Sequence, residues 1–171
     1  MVQGRIPRSK IQDPAGRKFW PFYRGRDGCR TPMQWDSSPH GGFSSAEPWL
    51  PVNPDWSSRN VDTQIQDGRS LIHLYRSLIA LRKDHPALSR GSMQLVDTDH
   101  PHILSWLREH GDERLLVALN LSTQNQQISL DQDELEVALI STKGEPTGTG
   151  SLQVLRPNEG RIIRLRAAHQ S

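Results

Sequence analysis

Hydrophobic and polar positions change their rhythm twice along this chain. Between residues 70 and 84 the apolar side chains Leu71, Leu74, Tyr75, Leu78 and Ile79 recur at i, i+3 and i+4, which places them on one stripe of an α-helix. Ser70 is the expected N-cap. Arg82 and Lys83 suit the negative helix end, and Pro86 closes the element because it turns His85 away from helical geometry. From residue 91 the period falls to two. Strands are expected at 92–97, 102–108, 114–121, 126–130, 135–140, 152–155 and 161–166, separated by turn clusters at 99–101, 110–112, 146–150 and 157–160. Short strands spaced this regularly predict an antiparallel sandwich or meander.

Residues 1–69 follow neither period. Prolines at 7, 14, 21, 32, 39, 48, 51 and 54 and glycines at 4, 16, 25, 28, 41 and 42 punctuate any regular element, so the stretch reads as irregular. Four of the five tryptophans, Trp20, Trp35, Trp49 and Trp56, fall in it. A loop of this length is unusual inside a compact domain. It is expected to be functional or to wrap a larger scaffold, and the helical stripe after it is expected to pack on that scaffold. A domain boundary is expected near residue 90.

Composition narrows the classes. With 171 residues, 34% hydrophobic and 23% charged, the chain reads as globular and not disordered. A net charge of +2, with the 21 basic residues scattered, gives no nucleic-acid footprint. One cysteine, Cys29, excludes an internal disulfide framework. No apolar run approaches the ~18 residues of a membrane helix. The start, Met-Val-Gln-Gly-Arg-Ile-Pro, lacks a signal-peptide core, so a cytoplasmic location is expected. Neither nucleic acid nor membrane is expected as a partner; oligomeric state is left open.

Residues 25–35 read Gly-Arg-Asp-Gly-Cys-Arg-Thr-Pro-Met-Gln-Trp. This run resembles the loop of oligo-1,6-glucosidases and bacterial α-glucosidases of glycoside hydrolase family 13, the α-amylase family. The resemblance continues through Gly42-Phe43-Ser44, Pro48-Trp49-Leu50-Pro51-Val52, Asn60-Val61, Gln64 and Asp67, the helix with Tyr75-Arg76, and His85-Pro86-Ala87-Leu88 with Gly91. Asp13-Pro14, Phe19-Trp20-Pro21 and Gly28-Cys29 resemble the proteobacterial α-glucosidase branch. Residues 92–171 resemble the family only as a C-terminal β-domain. The resemblance implies the tail of a (β/α)₈ barrel followed by a C-terminal antiparallel β-sandwich. Residues 1–90 would be the last βα loop and final helix of the barrel, and 91–171 the sandwich. The chain is thus expected to be the C-terminal portion of a retaining enzyme that hydrolyses terminal α-glucosidic bonds of maltose-like oligosaccharides.

Retaining hydrolysis needs two carboxyl groups about 5–5.5 Å apart. The resemblance places these, and a third carboxylate, on barrel strands before residue 1, and the motifs around them are not found in this sequence. No catalytic residue is therefore expected here, Asp27 and Asp36 included, and the isolated chain is expected to show no turnover. Arg26 is the leading substrate-binding candidate. The resemblance implies that its guanidinium reaches the sugar beside the cleaved bond, where it can donate to hydroxyls and pair with a carboxylate; the competing reading is an arginine that pins the loop. Asp27 is expected to be structural, fixing Arg30 or capping a turn. Gln34 is a candidate donor behind the sugar. Trp35 could stack on a pyranose, but Trp35, Trp49 and Trp20 are expected in the loop core. Cys29 reads as an inert, partly buried thiol, and His100 and His102 as solvated. No metal spacing and no cofactor motif is found. The expected ligand is an α-glucoside oligosaccharide, bound together with the rest of the barrel. Two rival readings stand: a free-standing carbohydrate-binding or interaction module, and part of a transglycosylating relative such as a sucrose isomerase or trehalose synthase. Gly28-Cys29 favours the glucosidase.

Overall fold

A computed structural model describes residues 6–96, 99–130, 134–144 and 152–166. Asp97 and the turn expected at 146–150 lie outside the described residues. The chain forms two compact units, residues 1–73 and 74–171.

The first unit is less irregular than its prolines suggest. It holds α1 (Pro14–Lys18), α2 (Val61–Gln66), and single 3₁₀ turns at Arg8–Lys10, Asp27–Cys29 and Pro39–Gly42. Pro14 begins a helix instead of breaking one. Proline has no N–H to lose at the first helical position, and the preceding Asp13 accepts the amides of Ala15 and Gly16. Asn60 does the same for α2 by accepting from Thr63. Of the larger apolar side chains only Ile11 and Leu50 are buried among the described residues of this unit.

The expected long helix is α3 (Leu71–Asp84). The Ser70 hydroxyl, expected as its cap, donates to the Gln64 carbonyl at 2.6 Å. Leu71, Tyr75 and Ile79 of the expected stripe are 65%, 65% and 54% exposed. Pro86 ends α3 and at once begins α4 (Pro86–Arg90), a short helix that the sequence reading missed.

The second unit contains all seven expected strands: β1 (Ser92–Val96), β2 (Ile103–His110), β3 (Glu113–Asn120), β4 (Gln126–Gln127), β5 (Leu135–Ser141), β6 (Val154–Leu155) and β7 (Gly160–Leu165). They form an antiparallel sheet in the order β1-β2-β3-β7-β5 and a two-stranded sheet β4-β6. β4 and β6 are shorter than expected. Past Gln127 the ladder gives way to an Ile128 N–H bond to the Gln153 carbonyl and a Gln153 side-chain bond to the Leu130 carbonyl.

Side chains alternate across the large sheet. Leu116, Ala118, Ile163 and Leu165 pack with Ile103, Leu135, Ile128 and Leu155, so the β4-β6 segment covers one face. Leu115, Val117 and Ile162 face the other way and pack with Ala87, Leu78, Leu88 and Trp106. Each fully buried leucine or isoleucine contributes roughly 1.5–3 kcal/mol.

Strand residues bind α4 at both ends. Glu113 accepts the Ala87 amide at 2.9 Å and the His85 ring at 2.5 Å. Burial alone would raise the Glu113 pKa, but these two donors together hold it below its ordinary value. Arg108 donates to the carbonyls of Ala87 and Gly91 at 2.9 and 3.0 Å. The chain is so tight there that a Cβ on Gly91 would meet the Ala87 carbonyl at 2.4 Å and the Glu109 carbonyl at 2.7 Å.

The buried polar centre of the unit is Glu159. Its carboxylate pairs with Arg161 at 2.7 Å and Arg156 at 3.1 Å and accepts from the Ser141 hydroxyl. Burial pushes its pKa up, but Arg156, Ser141 and Arg161 outweigh this and bring it from 4.5 to about 2. The side chain of Asn120, in a sequence matching the glycosylation pattern, is 2% exposed and bonded to the carbonyls of Gln124, Leu155 and Arg156.

Two expectations follow. The folded-state pKa of Glu159 lies below its unfolded value. Its stabilisation is therefore complete above about pH 4.5 and lost as pH falls toward about 2. A shift of that size corresponds to roughly 3 kcal/mol. Glu159→Gln is expected to lower stability at pH 7 by a similar amount and to flatten the acid limb, read by urea unfolding at pH 7, 4 and 2.5. Gly91→Ala is expected to cost about 1–3 kcal/mol in the same assay, because the added methyl meets backbone that cannot step aside.

Candidate functional site

The loop that carries Arg26 is held by two buried carboxylates, each accepting backbone amides from the other's segment. Asp13 Oδ2 accepts the Arg26 amide at 2.9 Å, and Asp13 Oδ1 accepts Ala15 at 2.9 Å and Gly16 at 3.4 Å. In return Asp27 Oδ2 accepts the amides of Gln12 at 2.6 Å and Asp13 at 2.9 Å. Asp13 is 6% and Asp27 1% exposed. The Arg26 amide does most to hold the Asp13 carboxyl below its ordinary pKa; burial opposes it, and the Ala15 and Gly16 amides add to it.

Two glycines let the segments touch. A Cβ on Gly16 would lie 2.9 Å from the Arg24 carbonyl, and one on Gly25 2.9 Å from the Asp13 Cβ. Gly25 also has φ +76°, the left-handed region where a side chain is strained. Arg17 closes the base by donating to the Ile11 carbonyl at 2.5 Å.

Arg26 itself points outward. Its side chain is 67% exposed, and Nε lies 3.4 Å from Asp13 Oδ2. Asp27 shares its 3₁₀ turn but takes backbone amides, and it is the Asp27 carbonyl, not the carboxylate, that accepts the Arg30 amide. The Arg30 side chain is exposed. Cys29, expected to be partly buried, is exposed.

Gln34 and Trp35 belong to a second network. Gln34 Nε2 donates to Asp55 Oδ1 at 3.1 Å and the Arg59 carbonyl at 2.7 Å, while the Gln34 and Trp35 carbonyls accept Val61 and Asp62 at 3.0 Å. These bonds fix the start of α2. The core expectation for the tryptophans is corrected: Trp35 is 50% and Trp49 70% exposed, and Trp20 is half-buried under the Arg24 guanidinium, 5.9 Å from the ring centre. The buried apolar clusters lie within residues 74–171, so the loop offers these rings little to pack on.

Beyond Trp35 the chain curls around a cavity of about 620 Å³ lined by Asp36, Ser38, His40, Phe43 and Ser44, among others. His40 and Gly41 both have positive φ. A Cβ on Gly42 would meet the Asp36 carboxylate at 2.5 Å. The Ser38 hydroxyl, then its amide, holds the Asp36 pKa below its ordinary value.

The sequence reading passed over Asp13 as a site residue. The signal was present: an aspartate before a proline that opens a helix. His100, read as solvated, is half-buried, and its Nδ1 accepts the amides of His102 and Ile103. Among the described residues no three His, Cys, Asp or Glu side chains are placed to hold a metal. The arrangement offers an exposed guanidinium on a rigid backbone, able to donate to hydroxyls or pair with a carboxylate.

Comparison with known proteins agrees with this architecture. Residues 1–91 match the α-amylase catalytic domain, and residues 93–154 the maltogenic amylase C-terminal domain. A probable α-glucosidase of Rhizobium meliloti (strain 1021) is 42% identical over 136 residues, covering 80% of this chain and 24% of that protein. An oligo-1,6-glucosidase of Heyndrickxia coagulans is 42% identical over 142 residues, covering 83% and 25%. Among solved structures, a trehalulose synthase mutant in complex with Tris superposes with a TM-score of 0.74 at 30% identity, and an isomaltulose synthase from Klebsiella sp. LX3 with 0.74 at 26%; each match covers 83% of this chain and 26% of the other. The chain thus spans about a quarter of the length of the curated relatives it matches. Its helices and closing antiparallel sheet are the tail of the barrel and the C-terminal β-domain of this fold, and the chain belongs to the α-amylase family, glycoside hydrolase family 13.

Proposed function

We propose that the whole protein is a retaining α-glucosidase that hydrolyses terminal α-glucosidic bonds of maltose-like oligosaccharides. Residues 1–90 supply part of the wall of its sugar site, and residues 91–171 form the domain that follows. The observation that carries this reading is Arg26. Its side chain is two-thirds exposed on a backbone fixed by buried carboxylates, within the segment that matches the catalytic domain. Active sites of this fold lie on βα loops at the strand C-terminal ends. The guanidinium donates to hydroxyls of the non-reducing glucose and pairs with a carboxylate of the site. The exposed ring of Trp35 offers a pyranose an apolar face, and Asp27 and Gln34 keep the loop in shape.

Five of the described carboxyl groups are poorly suited to act as the general acid. A general acid needs a pKa raised toward the working pH. Asp13, Asp36, Glu47, Glu113 and Glu159 are all shifted downward, and the Asp27 carboxylate accepts two backbone amides. These commitments support a role in which the segment binds sugar and leaves bond cleavage to other parts of the barrel.

A second reading has its own support. The structural relatives include trehalulose and isomaltulose synthases, so the complete protein could transfer the glucosyl group to a sugar instead of water.

The purified 171-residue chain is expected to release no glucose from maltose; measurable turnover would overturn the assignment of the chemistry elsewhere. In the complete enzyme, Arg26→Ala is expected to lower kcat/KM on maltose by about 100-fold, the scale of a lost positioning contact. Arg26→Lys should recover only part of this, since lysine lacks the planar fork. Unchanged kinetics in Arg26→Ala would make the arginine a loop pin. Products from sucrose separate the two readings: glucose and fructose mark a hydrolase, an isomerised disaccharide a transglycosylase.

A further inference from the structure

We infer that Asp13 is the positioning residue for Arg26, setting the direction in which its guanidinium meets the sugar. The inference rests on the sugar-facing reading of Arg26 and goes beyond it, because Asp13 lies thirteen positions upstream. Both residues belong to the same compact unit.

The two oxygens of Asp13 divide their work. Oδ1 serves α1 by accepting the Ala15 and Gly16 amides. Oδ2 serves Arg26 alone in the bonds seen here, accepting its backbone N–H at 2.9 Å and lying 3.4 Å from its Nε. The first bond fixes the peptide from which the side chain departs. The second lies along the inner edge of the guanidinium, leaving the outer Nη edge for a ligand. Only an acceptor on both sides can do this, and a carboxylate provides it. The group is 6% exposed and cannot turn to water for other partners. Its own amide is held by Asp27 at 2.9 Å, so the support is itself supported. Helix capping alone would explain Oδ1 and leave Oδ2 unexplained.

The division of labour dictates the variants. Asp13→Asn keeps one oxygen and a residue type that caps helices well, but it cannot offer an acceptor to both α1 and Arg26. Asp13→Ser keeps a capping hydroxyl on a shorter side chain and serves as the second variant. Each is compared with Arg26→Ala and with the corresponding double variant in the complete enzyme, on maltose, with thermal unfolding followed in parallel. Asp13→Asn is expected to lower kcat/KM by about tenfold or more and to divide the loss between kcat and KM in the same way as Arg26→Ala. In the Arg26→Ala background the second substitution is expected to add less than twofold. A tenfold loss that multiplies onto Arg26→Ala, or full activity in both Asp13 variants, overturns the positioning role while leaving Arg26 a sugar contact. Full activity in Arg26→Ala overturns the sugar-facing reading, and the inference with it.

Discussion

Backbone amides that no helix or sheet ladder engages must find another acceptor, and in the first thirty residues two carboxylates supply it. Asp13 and Asp27 each reach across to the other's segment and accept its N–H groups. Leaving such donors buried and unpaired would cost about 1–3 kcal/mol apiece. The exchange is possible because Gly16 and Gly25 let two backbones approach to contact. It also explains why Arg26 can be both exposed and well placed. Asp27 beside it is tied to the Asp13 amide, its own amide is tied to the Asp13 carboxylate, and two-thirds of its side chain is left to solvent.

The second unit solves the same problem with ladders. Its amides pair across five strands, and apolar side chains cover both faces of the sheet. Glu159 and Arg161 are the exception, with side chains 0% and 1% exposed. Two charges taken out of water lose several kcal/mol of hydration each. The carboxylate recovers this only because Arg156, Arg161 and Ser141 converge on it beside the turn that leads into β7. Arg156 responds in kind: its hydrogen bond to Glu159 raises its pKa.

What the sequence made legible follows from where the physics is periodic. The β-domain could be read strand by strand, since alternation of Leu115, Leu116, Val117 and Ala118 between two covered faces is an expression of the pleat. α3 was equally plain. α1, α2 and α4 were not, being five, six and five residues long and too short for a stripe. Two of them start at a proline that reads as a break unless the residue before it, Asp13 or His85, is considered with it. Arg26 and its turn were found through resemblance. Asp13 could be read as a resembling Asp-Pro pair and a helix cap, but its tie to Arg26 could not, because a bond across thirteen residues leaves no local pattern. The burial of Trp35 and Trp49 was misjudged because residue type sets a preference for burial, while exposure depends on what the surrounding chain brings against the ring.

The capped ends of α4 carry a further consequence. A helix of five residues does not hold in water by its own hydrogen bonds. α4 depends on Glu113 and Arg108, which stand on β3 and β2. Those strands are joined through Gly111, at φ +58°, by a turn short enough to close within microseconds. The helix therefore depends on that hairpin for its template, and residues later in the chain hold the shape of earlier ones.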